Sequence, residues 1–360
     1  MAVTPVSLQR PSERARRRAN LQIALVVMSA FLLVGVLGFL VTRDAGRRDL
    51  ERAQAEILEE VAQTIDDWWL TAETDVNFLA NSAAVRTFVE AAQRSVTGEV
   101  ILSGAQAPMI QTFVGTLERN RSVYLGIRYV TANGTTWTEV SSFDGTTRIV
   151  PAAFTDAAFD SALLEQGLRT SPNSVSVTNI RFLTYPGSPD ELVEPLVPYL
   201  RFIAPVNTGS AMMNVSGIVE LDVALWPVLD SIAQAVDAPY FQGVSGRRLG
   251  LLDAQRNLLN DTTLLDGNIL RRLANGFGLP LVSQLPDIDS VLAESSDSLR
   301  ARVSAGVMAS TAPLRVTDPA GTPWQLLLVD NLGAALDNAT LSGALVFILS
   351  LGLGGIVSYV

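Results

Sequence analysis

Cysteine, histidine and lysine do not occur in this chain of 360 residues. Each absence excludes a class of chemistry. Without cysteine there is no disulfide framework, no thiol nucleophile and no cysteine-ligated metal. Without histidine, neither Ser-His-Asp nor Cys-His catalysis runs within the chain. Without lysine there is no P-loop, Schiff base or Ser-Lys dyad. The acidic stretches "PDIDS" and "SSDS" lack the spacing of an EF-hand loop, so no metal and no cofactor is expected. Carboxylate pairs remain as catalytic groups, yet no constellation of them stands out, and the chain is read as non-enzymatic. A net charge of −10 offers no basic face for phosphates, which argues against a nucleic-acid partner.

What the chain does have is hydrocarbon at both ends. Leu21 to Thr42, "LQIALVVMSAFLLVGVLGFLVT", is uncharged over the length that crosses a bilayer. Arg10, Arg14, Arg16, Arg17 and Arg18 precede it, which favours a cytoplasmic tail over residues 1–20. The run exceeds the apolar core of a signal peptide and no small-x-small cleavage site follows, so an uncleaved anchor is the reading. Leu341 to Val360, "LSGALVFILSLGLGGIVSYV", is the second expected span, with Ser350 and Gly354 in a small-xxx-small pattern. With five arginines and one glutamate in the tail, 21 arginines and 35 acids remain for the stretch between the spans, a balance of −14. Residues 43–340 are therefore expected outside the cell membrane, and an output module is expected beyond Val360.

The outer stretch begins helical. Leu58, Val61, Ile65, Trp68, Ala72, Val76, Leu79 and Ala83 recur at spacings of three and four, the pattern of a coiled-coil stripe continuous with the first span. It is read as a dimer seam toward the membrane and as core packing beyond Trp69. A second helix is expected over Pro108 to Arg119. Tyr124 to Val130 and Thr136 to Ser142 read as strands around an Asn133-Gly134 hairpin turn. A short helix ending at Gly167 follows. "SVSVTNIRF", "PYLRFIAPV" and "SGIVELDVAL" read as strands, and "WPVLDSIAQAV" as a helix with Pro227 in its first turn. A smaller version repeats the plan: the hairpin "RRLGLLDAQRNLLND", the helix "GNILRRLAN", a polar loop over Pro280 to Ser298, then "LRARVSAGVMASTAPLRV" and "TPWQLLLVDN". Strands with helices on one side give an α+β fold on antiparallel sheets.

These segments resemble the double Cache domain of bacterial transmembrane receptors. "VYLGIRYVTANGTTWTEV" is similar to the family's first hairpin, and "EPLVPYLRFIAPVNTGSAMMNVSGIVELDVAL" to its proline-led strand, turn and Gly-led strand. "GLLDAQRNLLND" and "PWQLLLVDN" resemble the first hairpin and last strand of its second module. The resemblance covers residues 44 to 340. It implies a long N-terminal helix and two PAS-like antiparallel-sheet modules, flanked by two transmembrane helices. The divisions expected are 43–120 for the stalk and second helix, 121–240 for the membrane-distal module and 241–335 for the membrane-proximal one. "RIVPAAFTDAAFDSALLEQG" lacks the Arg-x-Trp-Tyr stretch that many amino-acid-binding members carry.

The resemblance also implies a small-molecule site in the distal module, in the region of Tyr124, Arg128, Trp137, Tyr185, Tyr199 and Arg201. Arg128 and Arg201 interrupt apolar strands, and strand alternation puts Tyr124 with Arg128 and Tyr199 with Arg201. Arginine forks suit carboxylates and aromatics supply walls. Asp222 is a further candidate, for an amine or for a structural role at a turn. The expected function is the input half of a two-span receptor, a homodimer in the cell membrane, joined to a sensor histidine kinase. A chemoreceptor, a diguanylate cyclase input or a complete membrane-anchored protein-binding module are the alternatives.

Overall fold

A computed structural model describes residues 13–94, 99–142, 146–150, 161–185, 188–193, 195–207, 215–237, 247–261, 271–272, 274–275, 302–304, 306–318 and 320–359. The chain divides into two compact units. One holds the residues up to Gln54, 244–246 and Asp330 onward; the other holds Ala55 to Gly243 and Arg247 to Val329.

The first unit is built from the start of helix α1 (Glu13–Asn81) and from α6 (Leu332–Ala335) and α7 (Asp337–Tyr359). Leu21, Leu25, Leu33, Leu37 and Leu40 of α1 stand exposed, a continuous hydrocarbon surface that only lipid or another apolar face covers without cost. Among the described residues α1 alone is long and apolar enough to cross a membrane. The second expected span lies on α7, whose apolar stretch among the described residues is Thr340–Leu353. The two helices pack through small residues. A Cβ on Gly35 would lie 2.9 Å from the Phe347 ring, and one on Gly343 2.8 Å from the Phe39 ring. Where α1 leaves this region, Gln54 donates from Nε2 to Asp330 Oδ2 at 2.8 Å, with both residues buried.

The second unit carries two antiparallel sheets. The larger is ordered β3-β2-β1-β9-β8-β4, with β5 also on β8. Its strands are β1 (Tyr124–Thr131), β2 (Thr136–Ser141), β3 (Arg148–Ile149), β4 (Ser176–Val177), β5 (Arg181–Phe182), β8 (Pro198–Asn207) and β9 (Val215–Ala224). β6 (Thr184–Tyr185) and β7 (Ser188–Leu192) form a separate ribbon. The smaller sheet is ordered β11-β10-β14-β13-β12, from β10 (Arg248–Leu252), β11 (Leu258–Asp261), β12 (Arg302–Ser304), β13 (Val307–Thr317) and β14 (Pro323–Asn331). The antiparallel α+β fold expected from the sequence is the one present. The expected strand "SVSVTNIRF" is broken into β4 and β5, and the helix expected over Gly267 to Asn275 and the loop over Pro280 to Ser298 lie wholly or largely outside the described residues.

Helices α1, α2 (Ala83–Arg94) and α3 (Glu99–Arg119) cover one face of the larger sheet. Ser82 breaks α1 from α2: its hydroxyl accepts the Val85 N–H at 3.3 Å, an N-cap. α3 begins earlier than expected and carries Pro108 inside it. The Trp69 ring meets Phe202 at 4.7 Å between centroids, and Phe88 meets Tyr129 edge-on at 5.8 Å. The stripe of α1 expected as a dimer seam toward the membrane packs within the chain instead. Leu58, Val61, Ile65, Ala72, Val76 and Leu79 are buried in this chain's own core, in one cluster with Val219 and Leu221 of the larger sheet and Leu326 and Leu328 of the smaller. Burying each of the Leu, Val and Ile side chains contributes about 2 kcal/mol, so intramolecular packing takes the stripe from Leu58 to Leu79. Trp68 is half-buried against the same core, and Ala83, past the break at Ser82, is exposed. Asp66 Oδ1 also accepts the backbone N–H of Arg315 on β13 at 2.7 Å.

The opposite face of the larger sheet is covered by α4 (Ser161–Arg169), whose Leu163 and Leu164 meet Val130, Ile203 and Ile218. α4 runs two residues past Gly167, which was expected to end it. A Cβ there would lie 2.7 Å from Ile203 and 2.9 Å from Ile218, so this glycine lets the helix approach the sheet. α5 (Trp226–Asp237) follows β9 and has Pro227 in its first turn, as expected.

Among the described residues the tightest backbone approach at a glycine is at Gly217 in β9, where a Cβ would run into the Val130 carbonyl oxygen and stand 2.8 Å from the Tyr129 hydroxyl. Gly217→Ala is expected to lower stability by about 3 kcal/mol, read as a fall in the melting temperature of the full chain in nanodiscs; an unchanged melt would refute the tight β1–β9 contact.

Candidate ligand site

The period of two separates hydrocarbon from charge across the larger sheet. Ile127, Tyr129, Phe202, Ala204, Val219 and Leu221 point to α1–α3. Arg128, Arg201, Glu220 and Asp222 alternate with them on the face that also carries Val130, Ile203 and Ile218 under α4. Register then brings the charges together: Arg128 lies opposite Glu220 on one side and Glu139 on the other, and Arg201 lies opposite Asp222.

The result is a buried ion-pair network. Arg201 grips Asp222 in a fork, Nε to Oδ1 at 2.6 Å and Nη2 to Oδ2 at 2.9 Å. Arg128 Nε meets Glu220 Oε2 at 2.7 Å, and Arg201 Nη1 meets the same oxygen at 3.3 Å. Arg128 Nη2 reaches Asp222 Oδ2 at 3.6 Å. The arginine and glutamate side chains keep 8% or less of their surface exposed, and Asp222 keeps 15%. Gly126 lies opposite Asp222, and a Cβ there would stand in ordinary contact with the carboxylate, 3.7 Å from Oδ2. Tyr199 lines the network: its ring stands 5.8 Å from the Arg201 guanidinium, and its hydroxyl accepts from Nη2 at 3.4 Å.

Burial acts against every charge here. It pushes the Asp222 carboxyl up to about 6, although Arg128 and Arg181 pull the other way. Burial also raises Glu139; Arg128 opposes this, while Asp222 and Glu220 add to it. For Arg128 burial favours the neutral form, but Glu220 and Asp222 outweigh it and hold the guanidinium charged. Tyr199 is raised by burial and then by Asp222.

Of the six residues nominated from sequence, Arg128, Tyr199 and Arg201 come together. Tyr124 does not join them. The β1–β9 register slips between Tyr124 and Gly126, so this bulge turns Tyr124 to the helix face. There its hydroxyl donates to Asp75 Oδ2 on α1 at 2.5 Å. Trp137 is misplaced for the same reason. It is the extra residue of a bulge in β2 and packs edge-on against Phe88 of α2 at 5.5 Å. Tyr185 lies in the β6–β7 ribbon; its side chain is outside the described residues. Asp222 is mid-strand rather than at a turn. Glu139, Glu220 and Arg181 were not nominated. The signal for Glu220 was present in "VELDV", where two acids at i and i+2 interrupt an apolar strand as the arginines do. A separate depression of about 420 Å3 between α4 and β4, lined by Glu165, Gln166, Arg169 and Ser176, contains none of these residues.

No family model and no curated protein matches the sequence. Solved structures do. The extracellular domain of a protein assigned as a histidine kinase superposes with a TM-score of 0.53 at 16% identity, over 83% of this chain and 96% of its own. A domain of a sensory box/GGDEF family protein from Vibrio parahaemolyticus gives 0.53 at 16% identity, over 82% and 99%. The ligand-binding domain of a Pseudomonas aeruginosa amino acid chemoreceptor, in complex with GABA, gives 0.46 at 13% identity, over 78% and 99%. The chain has the fold of extracytoplasmic sensor domains. In particular it has the Cache-like fold of a long N-terminal helix and antiparallel sheets that its sequence resembles.

Two outcomes test the network. Arg201→Gln leaves Asp222 and Glu220 under-compensated and is expected to cost about 4 kcal/mol in denaturant unfolding. Asp222 has a folded value of about 6 against an ordinary 3.8, so the folded state holds its proton more tightly. Its contribution, about 3 kcal/mol, is complete below pH 4 and is lost as the pH rises through 6. Asp222→Asn is expected to flatten the stability profile between pH 4 and 6.5; a profile identical to that of the unmodified chain would rule this out.

Proposed function

We propose that the chain is the ligand-sensing input portion of a transmembrane signalling receptor. The observation that carries this reading is the fold shared with two sensor domains over more than four-fifths of the chain, on a helix whose N-terminal part is exposed hydrocarbon. In this reading α1 and α7 both cross the cell membrane, the tail before α1 is cytoplasmic, and the sheets are extracytoplasmic. The arginine-rich tail and the acidic outer stretch support that orientation. The close packing of Gly35 and Gly343 against Phe347 and Phe39 supports a paired crossing.

A small molecule bound on the α4 face of the larger sheet biases the sensor between two conformations, and α7 carries the change inward. The output is of histidine-kinase type, with a cyclase or chemotaxis output as the alternatives. Leu70 and Phe78, exposed on α1 at 45% and 65%, support a homodimer through this helix outside the buried stripe.

The absence of cysteine makes a direct test clean. Single-cysteine versions, Thr71→Cys and Ser7→Cys, are treated in intact cells with a membrane-impermeant maleimide. Labelling is expected at residue 71 and not at residue 7. In parallel, a panel of small metabolites is screened for a rise in melting temperature of the full chain in nanodiscs, with at least one hit expected. The reverse labelling pattern defeats the orientation, and a panel without hits defeats ligand sensing.

A further inference from the structure

In the network, Asp222 occupies the fork of Arg201 as the carboxylate of a bound ligand does: two parallel N–H···O contacts in a buried site. The groups facing it come from every strand around it. β1 contributes Arg128, β2 Glu139, β5 Arg181, β8 Arg201 and Tyr199, and β9 Glu220. On α4, Glu165 and Arg169 pair with each other at the helix surface. Three arginines thus face three carboxylates. With all six ionised the cluster is neutral, and an entering anion finds each arginine already beside a carboxylate.

An anion therefore fits only when one internal carboxylate gives up its charge. Glu220 is poorly suited, because one of its oxygens is held by both arginines at 2.7 and 3.3 Å. Asp222 is the better candidate. It faces Gly126 on β1, which has no side chain, and is the most exposed member of the network's ion pairs. We propose that Asp222 is a proton-gated place-holder: the carboxylate of a small ligand replaces it in the fork of Arg201, while Asp222 takes up one proton from solvent. This rests on the sensory reading above and names its ligand class as a small carboxylate. The only bond formed is O–H on Asp222, and the cluster, one charge more positive after protonation, is neutralised by the ligand. The position of Asp222 near pH 6 sets the working range. Affinity rises as the pH falls through that value, and above it each pH unit weakens binding about tenfold.

The test uses the full chain in nanodiscs, with propionate as probe and propionamide as its uncharged counterpart. Calorimetry is expected to show propionate binding on the order of 20-fold tighter at pH 5.5 than at pH 7.5, with no pH dependence for propionamide. In Asp222→Asn, propionate is expected to bind at pH 7.5 about as tightly as it binds the unmodified chain at pH 5.5. Should that variant fail to fold, titrations of the unmodified chain at pH 7 in phosphate and in Tris count the protons, and close to one per propionate is expected. Equal affinity at both pH values, or no proton uptake, overturns the place-holder. Binding of amines or neutral compounds with no response to propionate, acetate or succinate overturns it and leaves the sensory reading standing. A chain that answers to none of these classes overturns both.

Discussion

The packing of α1 against both sheets is the contact on which the rest depends. From Ile57 to Ala80 its buried side chains form one cluster with strands of the larger and the smaller sheet. In a folded protein a helix is held mainly by the face it packs rather than by its intrinsic propensity. The same burial claims one face of the larger sheet for hydrocarbon. The period of two then leaves Arg128, Arg201, Glu220 and Asp222 the opposite face, where α4 supplies only a small apolar cover.

That opposite face holds more charge than a stability argument requires. Buried ion pairs seldom outperform well-packed apolar residues, because desolvation offsets most of the attraction. Here the cost is visible in Asp222, which burial lifts despite a bidentate arginine. A sheet that needed only stability would carry Leu or Val at these positions. The exchange proposed at Asp222 draws on this charge.

In the first unit, composition and geometry divide the work. Hydrophobicity identifies the apolar stretch of α1 without any structure. Which residues of α1 meet α7 depends on where glycine lets two helix axes approach: Gly35 meets Phe347 and Ser350, whereas Gly343 meets Phe39. The buried Gln54–Asp330 hydrogen bond just beyond ties α1 to the last residues of β14.

Local pattern determined most of the elements. The Asn133-Gly134 turn, the strands β8 to β11, β13 and β14, and the helices α1 and α5 follow from periodicity, turn residues and length, because each depends on neighbours in sequence. The arginines at 128 and 201 were legible as site candidates, since a charge within an apolar strand needs a partner. What the sequence did not determine is which partner. That depends on register between strands far apart in the chain, β1 and β8 each on β9, and register is set by the packed sheet as a whole. Two single-residue bulges reversed the facing of Tyr124 and Trp137, which strict alternation had put at the site. The α1 stripe reads identically whether it meets a second copy or its own sheets; only tertiary structure decided, because the sheets cover it first.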